Sequence, residues 1–397
     1  MRVLVTTSPG LGHTFATIPL SWALRAAGHE VLFATAGRLD GDLPAVLGAG
    51  VQVAEIATRE QMERIRAGLR ARRQAEADRL GVPLREMVER DLETARQARH
   101  VRDGNGWVYG VRIFGPMSAG TLDGLVDVAT RWKPDLVVHE SMQGGGPLVA
   151  ALLGVPAVEH PIGFARGPQV VEAMAAYLAD EYARFGVSGP PERTVALDVS
   201  PPSMGVGPAY GWPMRYVPFN GGGLVTDWLT RPAGRPRIAV TLGSILAELG
   251  FGPFGRIIEA AGQVDADFLL TVDPADLSAR GPLPPNVHAC GYVPLGAMLG
   301  SCDAIVHHGG SSTTFTALDA GVPQLVLPEL ADQFINADAV ARRGCGLVAE
   351  HDVLDAALLG ALAGDDAMRV NAAQVRAELA TMPSPVQVAA RLVEFAT

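Results

Sequence analysis

At 397 residues the chain is too long for one ordinary compact core and long enough for two α/β domains, each burying its own apolar interior. Hydrophobic residues make up 48% and charged residues 19%, which excludes a disordered or collagen-like chain. Lys and Arg number 32 against 42 Asp and Glu, a net charge of -10. That balance excludes a broad nucleic-acid face but leaves room for a compact phosphate site made of backbone N–H groups.

Residues 2–7 (RVLVTT) predict a buried parallel strand, followed by the glycine loop SPGLGH and an apolar helix ending at Gly28. Residues 29–34 (HEVLFA) predict a second strand, so the chain opens with a βαβ unit and a parallel sheet covered by helices on both faces. The first apolar run meets Gly10, Gly12 and His13 too soon for a secretory signal, and no run of about 18 apolar residues predicts a membrane span. Cys290, Cys302 and Cys345 suit neither a disulfide framework nor a CxxC metal site, and the cytoplasm is the expected compartment.

Residues 59–103 predict a charged, Arg- and Glu-rich helical stretch, which reads as a solvated face. Residues 104–116 are broken by glycine and carry Trp107, Tyr109 and Phe114, which suit an apolar pocket wall. Residues 135–139 (DLVVH) predict another short buried strand, with Glu140 just past its end and a helix around residues 148–153. With both strands parallel in one sheet, His13 and Glu140 open on the carboxyl edge, where open α/β sheets bind ligands. A histidine oriented by a carboxylate suits general-base work on a hydroxyl near neutral pH. The alternatives are a helix-start histidine satisfied by backbone and a solvated loop carboxylate. The neighbouring His139 would point to the opposite face.

Residues 186–235 are rich in Pro and Gly and mark a domain boundary. The division expected is a first domain over residues 1–213, a linker over 214–235 and a second domain over 236–397. A last helix, near residues 386–395, is placed to pack back on the first domain. The second domain repeats the same logic: strand 237–242, Gly243-Ser244, a helix near 254–262, and strands at 267–272 and 287–290.

Residues 304–328 (AIVHHGGSSTTFTALDAGVPQLVLP) read as strand, glycine turn, helix, glycine stop and strand. Gly309 and Gly310 allow close approach of a ligand, and Ser311, Ser312, Thr313 and Thr314 bring hydroxyls and N–H groups to a helix N-terminus, a setting suited to a diphosphate. An ordinary N-cap after a tight turn is the alternative. The chain has no GxxxxGK[ST] run, which excludes a P-loop NTPase, and Phe15 stands where a dinucleotide fingerprint wants its third glycine.

The run HHGGSSTT, followed by AGVPQLVLPELADQFINA, closely resembles the donor-binding motif of inverting nucleotide-sugar glycosyltransferases of the GT-B fold. SPGLGH, HEVLFAT, TLGS, GYVP and the Asp-Gln pair follow in that family's order, and the likeness is to its actinobacterial natural-product branch, which attaches deoxysugars to polyketides and similar aglycones. It implies two Rossmann-like α/β domains facing each other across a cleft. By that resemblance His308, Gly310, Ser312, Thr313 and Ser244 contact the donor diphosphate, Tyr292 and Val293 pack the base, and Asp332 and Gln333 hold sugar hydroxyls.

Relatives that use UDP often carry Gln after the Val-Pro and Glu on the helix, both touching ribose, where this chain has Leu295 and Thr316. A dTDP-deoxysugar is therefore the expected co-substrate. Glu140 falls where relatives carry the Asp that orients the catalytic His, a departure of one methylene. Met62, Met87, Trp107, Tyr109, Phe114 and Met117 are the candidates for lining a cleft for a small lipophilic acceptor, with scattered core packing as the alternative. No metal is expected, since no His and carboxylate cluster stands at ligand spacing. The expected state is a monomer or homodimer with no cofactor beyond the co-substrate. A nucleotide-sugar 2-epimerase and a non-catalytic transferase partner are the rival readings.

Overall fold

A computed structural model of the protein describes residues 1–37, 42–98, 107–224, 229, 233–243, 254–273, 275, 277, 282–329 and 332–397, without the side chains of residues 42, 91, 92, 94–98 and 107–109. The chain forms two compact units. The first holds Met1–Ser200, Gly207–Tyr216 and Met382–Thr397, and the second holds Pro201–Val206 and Val217–Thr381.

The first unit is built on a parallel sheet of seven strands: β1 (Arg2–Thr6), β2 (Glu30–Thr35), β3 (Gln52–Glu55), β4 (Leu136–Glu140), β5 (Ala157–His160), β6 (Thr194–Asp198) and β7 (Trp212–Pro213), in the order β3-β2-β1-β4-β5-β6-β7. Strands β1 and β4 are short continuous apolar runs because helices cover both faces, and Val3, Leu4, Leu136 and Val137 are fully buried. The order reverses between β1 and β4, where Val5 pairs with Val138 and Thr6 with His139. Such a reversal opens a crevice at the carboxyl ends of the two strands.

The second unit repeats this plan with β8 (Arg237–Thr241), β9 (Asp267–Leu270), β10 (Val287–Ala289), β11 (Ala304–His307), β12 (Gln324–Val326) and β13 (Gly346–Val348), in the order β10-β9-β8-β11-β12-β13. Its reversal lies between β8 and β11, where Thr241 pairs with His307. Ile238, Val240, Phe268, Val306 and Leu325 form one side of its core.

Three features differ from the sequence expectations. The apolar helix after β1 is two helices, Leu11–Phe15 and Ile18–Ala26, the second with proline near its start, where a missing N–H is harmless. The glycine-rich, aromatic stretch starting near residue 104 enters one long helix, Trp107–Trp132, that runs through Gly110, Gly115 and Pro116. There glycine serves close packing rather than chain breaking: a Cβ on Gly115 would come within 2.7 Å of the Tyr177 ring, and one on Gly124 would collide with the Ile56 carbonyl. Finally, the Pro- and Gly-rich boundary region contributes strands β6 and β7 to the first sheet.

The last helix, Pro385–Ala396, belongs to the first unit and packs on Ile18–Ala26. Ser384 and Gln387 form its capping box, and the Phe395 ring meets Trp212 edge-on with centroids 5.8 Å apart. Among the described residues no helix is long and apolar enough to cross a membrane.

Candidate active site

At the reversal point of the first sheet the turn after β1 passes through Gly10, whose φ of 129° is open to glycine and strained for other residues, and enters Leu11–Phe15 with His13 in its single turn. Glu140 is the last residue of β4 rather than a loop residue, and it is fully buried. His13 Nδ1 lies 3.1 Å from Glu140 Oε2, and Glu140 Oε1 accepts the Met142 N–H at 2.8 Å. Burial by itself would raise the Glu140 pKa, but the charge and hydrogen bond of His13, with the Met142 N–H, outweigh it and hold the carboxyl below its usual range. The Phe114 ring meets the His13 ring edge-on with centroids 4.6 Å apart.

His139 is turned away, buried under Gly146, where an added Cβ would collide with its own. Burial pushes its pKa down to about 4. Beside it in the sheet, Glu159 accepts a 2.7 Å hydrogen bond from Ser141, and burial pushes its pKa up to about 7.

At the reversal point of the second sheet β11 ends in His307. Its Nδ1 accepts the Gly309 N–H at 3.0 Å and its Nε2 lies 2.9 Å from Gln324 Oε1, which assigns the proton to Nε2 and fixes the turn. The His308 ring fits between two glycines: a Cβ on Gly243 or on Gly310 would come within 2.6 Å of a ring atom. Burial pushes the His308 pKa down to about 4 against the opposing pull of Asp332 and the Thr241 backbone, so the ring is a neutral hydrogen-bonding group near pH 7. Gly310 is the N-cap of Ser311–Ala320 and has no side chain to cover the first turn, which contains Ser312 and Thr313.

One buried amide ties this turn to the next helix. Asn336 Nδ2 donates to the Gly309 carbonyl at 2.7 Å and lies 3.0 Å from Ser311 Oγ and 3.2 Å from Asp332 Oδ2, while Ser311 Oγ donates to the same Asp332 oxygen at 2.6 Å. Asp332 is thus beside the diphosphate candidates. Gln333 is nearly buried, and its Oε1 accepts the Glu329 N–H at 2.8 Å.

The remaining candidates separate. Tyr292 is 70% exposed and its hydroxyl donates to the Asn220 carbonyl, whereas Val293 is packed in the core with Leu295, Met298 and Ile305. The Val293 side chain is therefore unavailable to a base, and any contact from it would be through backbone. Met62 belongs to the core formed by Leu4, Ile56, Leu125 and Val137 and does not join Phe114, which packs with Val111, Met142, Val170 and Met174. Met87 and Met117 are also buried. Ser244 and the side chains of Trp107 and Tyr109 lie outside the described residues.

Sequence reasoning passed over Asn220, Asn336 and Glu159, which carry no motif spacing. It also passed over Asp265-Ala266-Asp267, a spacing that can hold a divalent metal. Here both carboxylates pair with Arg235, at 3.6 and 2.7 Å, at the amino end of β9, the edge opposite to the turn carrying His308. Among the described residues no group of three or more His, Cys, Asp or Glu could hold a metal ion.

Two doubly wound sheets with these turns at their reversal points have close counterparts among known proteins. The glycosyltransferase SnogD from Streptomyces nogalater superposes with a TM-score of 0.79 at 38% identity, covering 100% of this chain and 99% of that one. SsfS6, a Streptomyces sp. SF2575 glycosyltransferase complexed with thymidine diphosphate, superposes with a TM-score of 0.77 at 29% identity, covering 99% of each chain. The elloramycin glycosyltransferase ElmGT of Streptomyces olivaceus is 39% identical over 396 residues, 99% of this chain and 97% of that protein. The protein is a glycosyltransferase of the GT-B fold. Residues 22–243 and 255–395 match the N-terminal and C-terminal domain profiles of the erythromycin biosynthesis protein CIII-like family, and the chain belongs to that family.

Proposed function

We propose that this enzyme transfers a deoxysugar from a dTDP-sugar to a hydroxyl of a lipophilic, polyketide-like aglycone, with inversion at the anomeric carbon and without a metal. The observation that carries the reading is the 3.1 Å contact of His13 with the buried Glu140 at the carboxyl edge of the first sheet. With Nδ1–H turned to Glu140, Nε2 is the basic nitrogen and takes the acceptor proton. Glu140 orients the ring and stabilises the imidazolium that forms. The acceptor oxygen then bonds to the anomeric carbon while the bond to the diphosphate breaks, its electron pair leaving with dTDP.

The second unit supports departure of that charge. The N-terminus of Ser311–Ala320 presents the positive end of a helix dipole near Ser312 and Thr313, and the neutral His308 ring and the Gly310 backbone add donors. Ser244 adds a hydroxyl on the resemblance alone, and Asp332 with Gln333 is assigned to sugar hydroxyls on the same ground. Tyr292 offers its exposed ring to the base. Thymidine as the nucleoside is supported by the thymidine diphosphate complex of SsfS6, and by Leu295 and Thr316, which are buried where UDP-using relatives present ribose-binding groups. Phe114 beside His13 supports an apolar acceptor. No observation favours the 2-epimerase or the partner-protein reading.

The test is a panel of dTDP- and UDP-sugars with flat aromatic and macrolide-like aglycones, read by mass spectrometry for the wild type and His13→Ala, before and after exhaustive chelation. A sugar mass gain from dTDP donors that survives chelation and is lost in the variant is the expected result. A strict preference for UDP-glucose, or dependence on Mg²⁺, would overturn the reading.

A further inference from the structure

The paired register of β1 and β4 ends at Thr6 and His139, and both members of the His13–Glu140 pair lie beyond it. Register brings the two turns to one edge but does not by itself hold them together. Gln143, a buried residue in the turn after β4, joins them. Its Nε2 donates to the Thr7 carbonyl at 3.3 Å, and its Oε1 accepts the Gly145 N–H at 3.0 Å. One partner is a carbonyl and the other an N–H, which settles the orientation of the amide; turned over, it would set oxygen against oxygen and N–H against N–H. The backbone N–H of Gln143 donates to the Glu140 carbonyl at 2.9 Å, so the tie starts at the carboxylate's own residue.

On the far side Thr7 passes the tie to the helix that carries His13. Thr7 Oγ1 donates to Thr35 Oγ1 at 3.1 Å, and Thr35 Oγ1 donates to the Thr7 carbonyl at 3.2 Å. With its one proton committed, Thr7 Oγ1 accepts from Thr14 Oγ1, 2.9 Å away. Thr14 is the residue after His13, and all three threonines are buried.

We infer that Gln143 and Thr14 are positioning residues, the two ends of a strut through Thr7 that fixes the His13 ring against the Glu140 carboxylate. The inference deepens the His13–Glu140 reading above and rests on it. Both residues act through His13 and Glu140 rather than on the reacting atoms. Leu11–Phe15 is a single turn, too short to keep its own place, so its position is set by side-chain ties such as these. A misplacement of about 1 Å in a catalytic group can cost as much as 10²-fold in rate.

The test uses the donor and acceptor pair turned over in the panel above. Gln143→Met keeps the length of the side chain and removes both of its bonds, and Thr14→Val keeps the shape and removes the hydroxyl. Each should lower kcat by on the order of tenfold, with acceptor KM and dTDP affinity within about twofold of wild type. In a Glu140→Gln background, where the orienting charge is already gone, the same changes should cost about twofold or less. Equal losses in both backgrounds, or losses in KM alone, would mark the two as ordinary fold residues and overturn the proposal.

A second readout needs no substrate. With histidine nitrogens isotopically labelled, NMR of the full chain at about pH 9, where an ordinary imidazole is neutral, should find the His13 proton on Nδ1; loss of the signal in His13→Gln identifies it. Gln143→Met and Thr14→Val should shift His13 towards the Nε2–H tautomer, and an unmoved signal in the folded variants contradicts the strut. If one variant does not fold, the other decides. A wild-type kcat indifferent to Glu140→Gln would remove the His13–Glu140 reading and this inference with it. A loss in Glu140→Gln with none in Gln143→Met or Thr14→Val would remove the strut alone.

Discussion

His13 and Glu140, far apart in the chain, meet at 3.1 Å because β1 and β4 are neighbours in register, with Thr6 opposite His139. Glu140 is the next residue of β4, and the turn after β1 leads into Leu11–Phe15, which carries His13 to the same carboxyl edge. Replacing Glu140 by Gln keeps the shape and removes the charge, and should lower kcat by about 10²-fold or more with donor affinity unchanged. Glu140→Asp shortens the reach and should cost less than Glu140→Gln. Steady-state kinetics with calorimetric donor binding check both. Because the folded Glu140 pKa is lowered, its contribution to stability is present above the ordinary carboxylate range and is lost as pH falls through the folded value. Glu140→Gln should flatten that acid limb in urea unfolding.

Glu159 has the opposite sign. Its folded pKa, pushed up to about 7, means the native state holds a proton that the unfolded chain has released, so stability declines as pH rises from the ordinary carboxylate pKa to about 7 and then levels. Glu159→Gln should therefore gain on the wild type by up to about 3 kcal/mol between pH 4 and pH 8. Urea unfolding at the two pH values reads it. A constant offset between the proteins would show that Glu159 does not titrate in this range.

Asn336 holds the Gly309 carbonyl, Ser311 and Asp332 at once. Asn336→Ala leaves a buried carbonyl without its donor and should destabilise the fold by about 1–3 kcal/mol. It should also weaken dTDP binding, since the turn under His308 is no longer pinned. Thermal unfolding and calorimetry measure the two effects, and unchanged nucleotide affinity would limit Asn336 to a structural role.

Gly124 sits where Trp107–Trp132 crosses the backbone of Ile56, and an added Cβ would collide with that carbonyl. Backbone cannot step aside as a flexible side chain can. Gly124→Ala should destabilise by about 3 kcal/mol or more, whereas Gly68→Ala, which meets nothing within 4 Å, should be neutral or slightly stabilising. Comparative unfolding of the two variants tests the contrast.

The sequence by itself determined the class of fold and the places where chemistry could sit. A buried parallel strand is a short apolar run, and a run that ends in glycine and starts a helix is a local pattern, so β1, β4, β8 and β11 and the turns carrying His13 and His308 could be read residue by residue. Tertiary structure decided what each side chain faces. It turned Val293 and Met62 into cores, spent Gln333 on the Glu329 N–H, ran a helix through glycines that looked like breaks, and brought Asn220 to Thr316 and Asn336 to the turn after β11. The physical reason is range. Periodicity reports how a segment meets its own neighbours, whereas a hydrogen-bond partner, a collision with Ile56 or the pKa of Glu159 depends on which distant segment the sheet register places beside it.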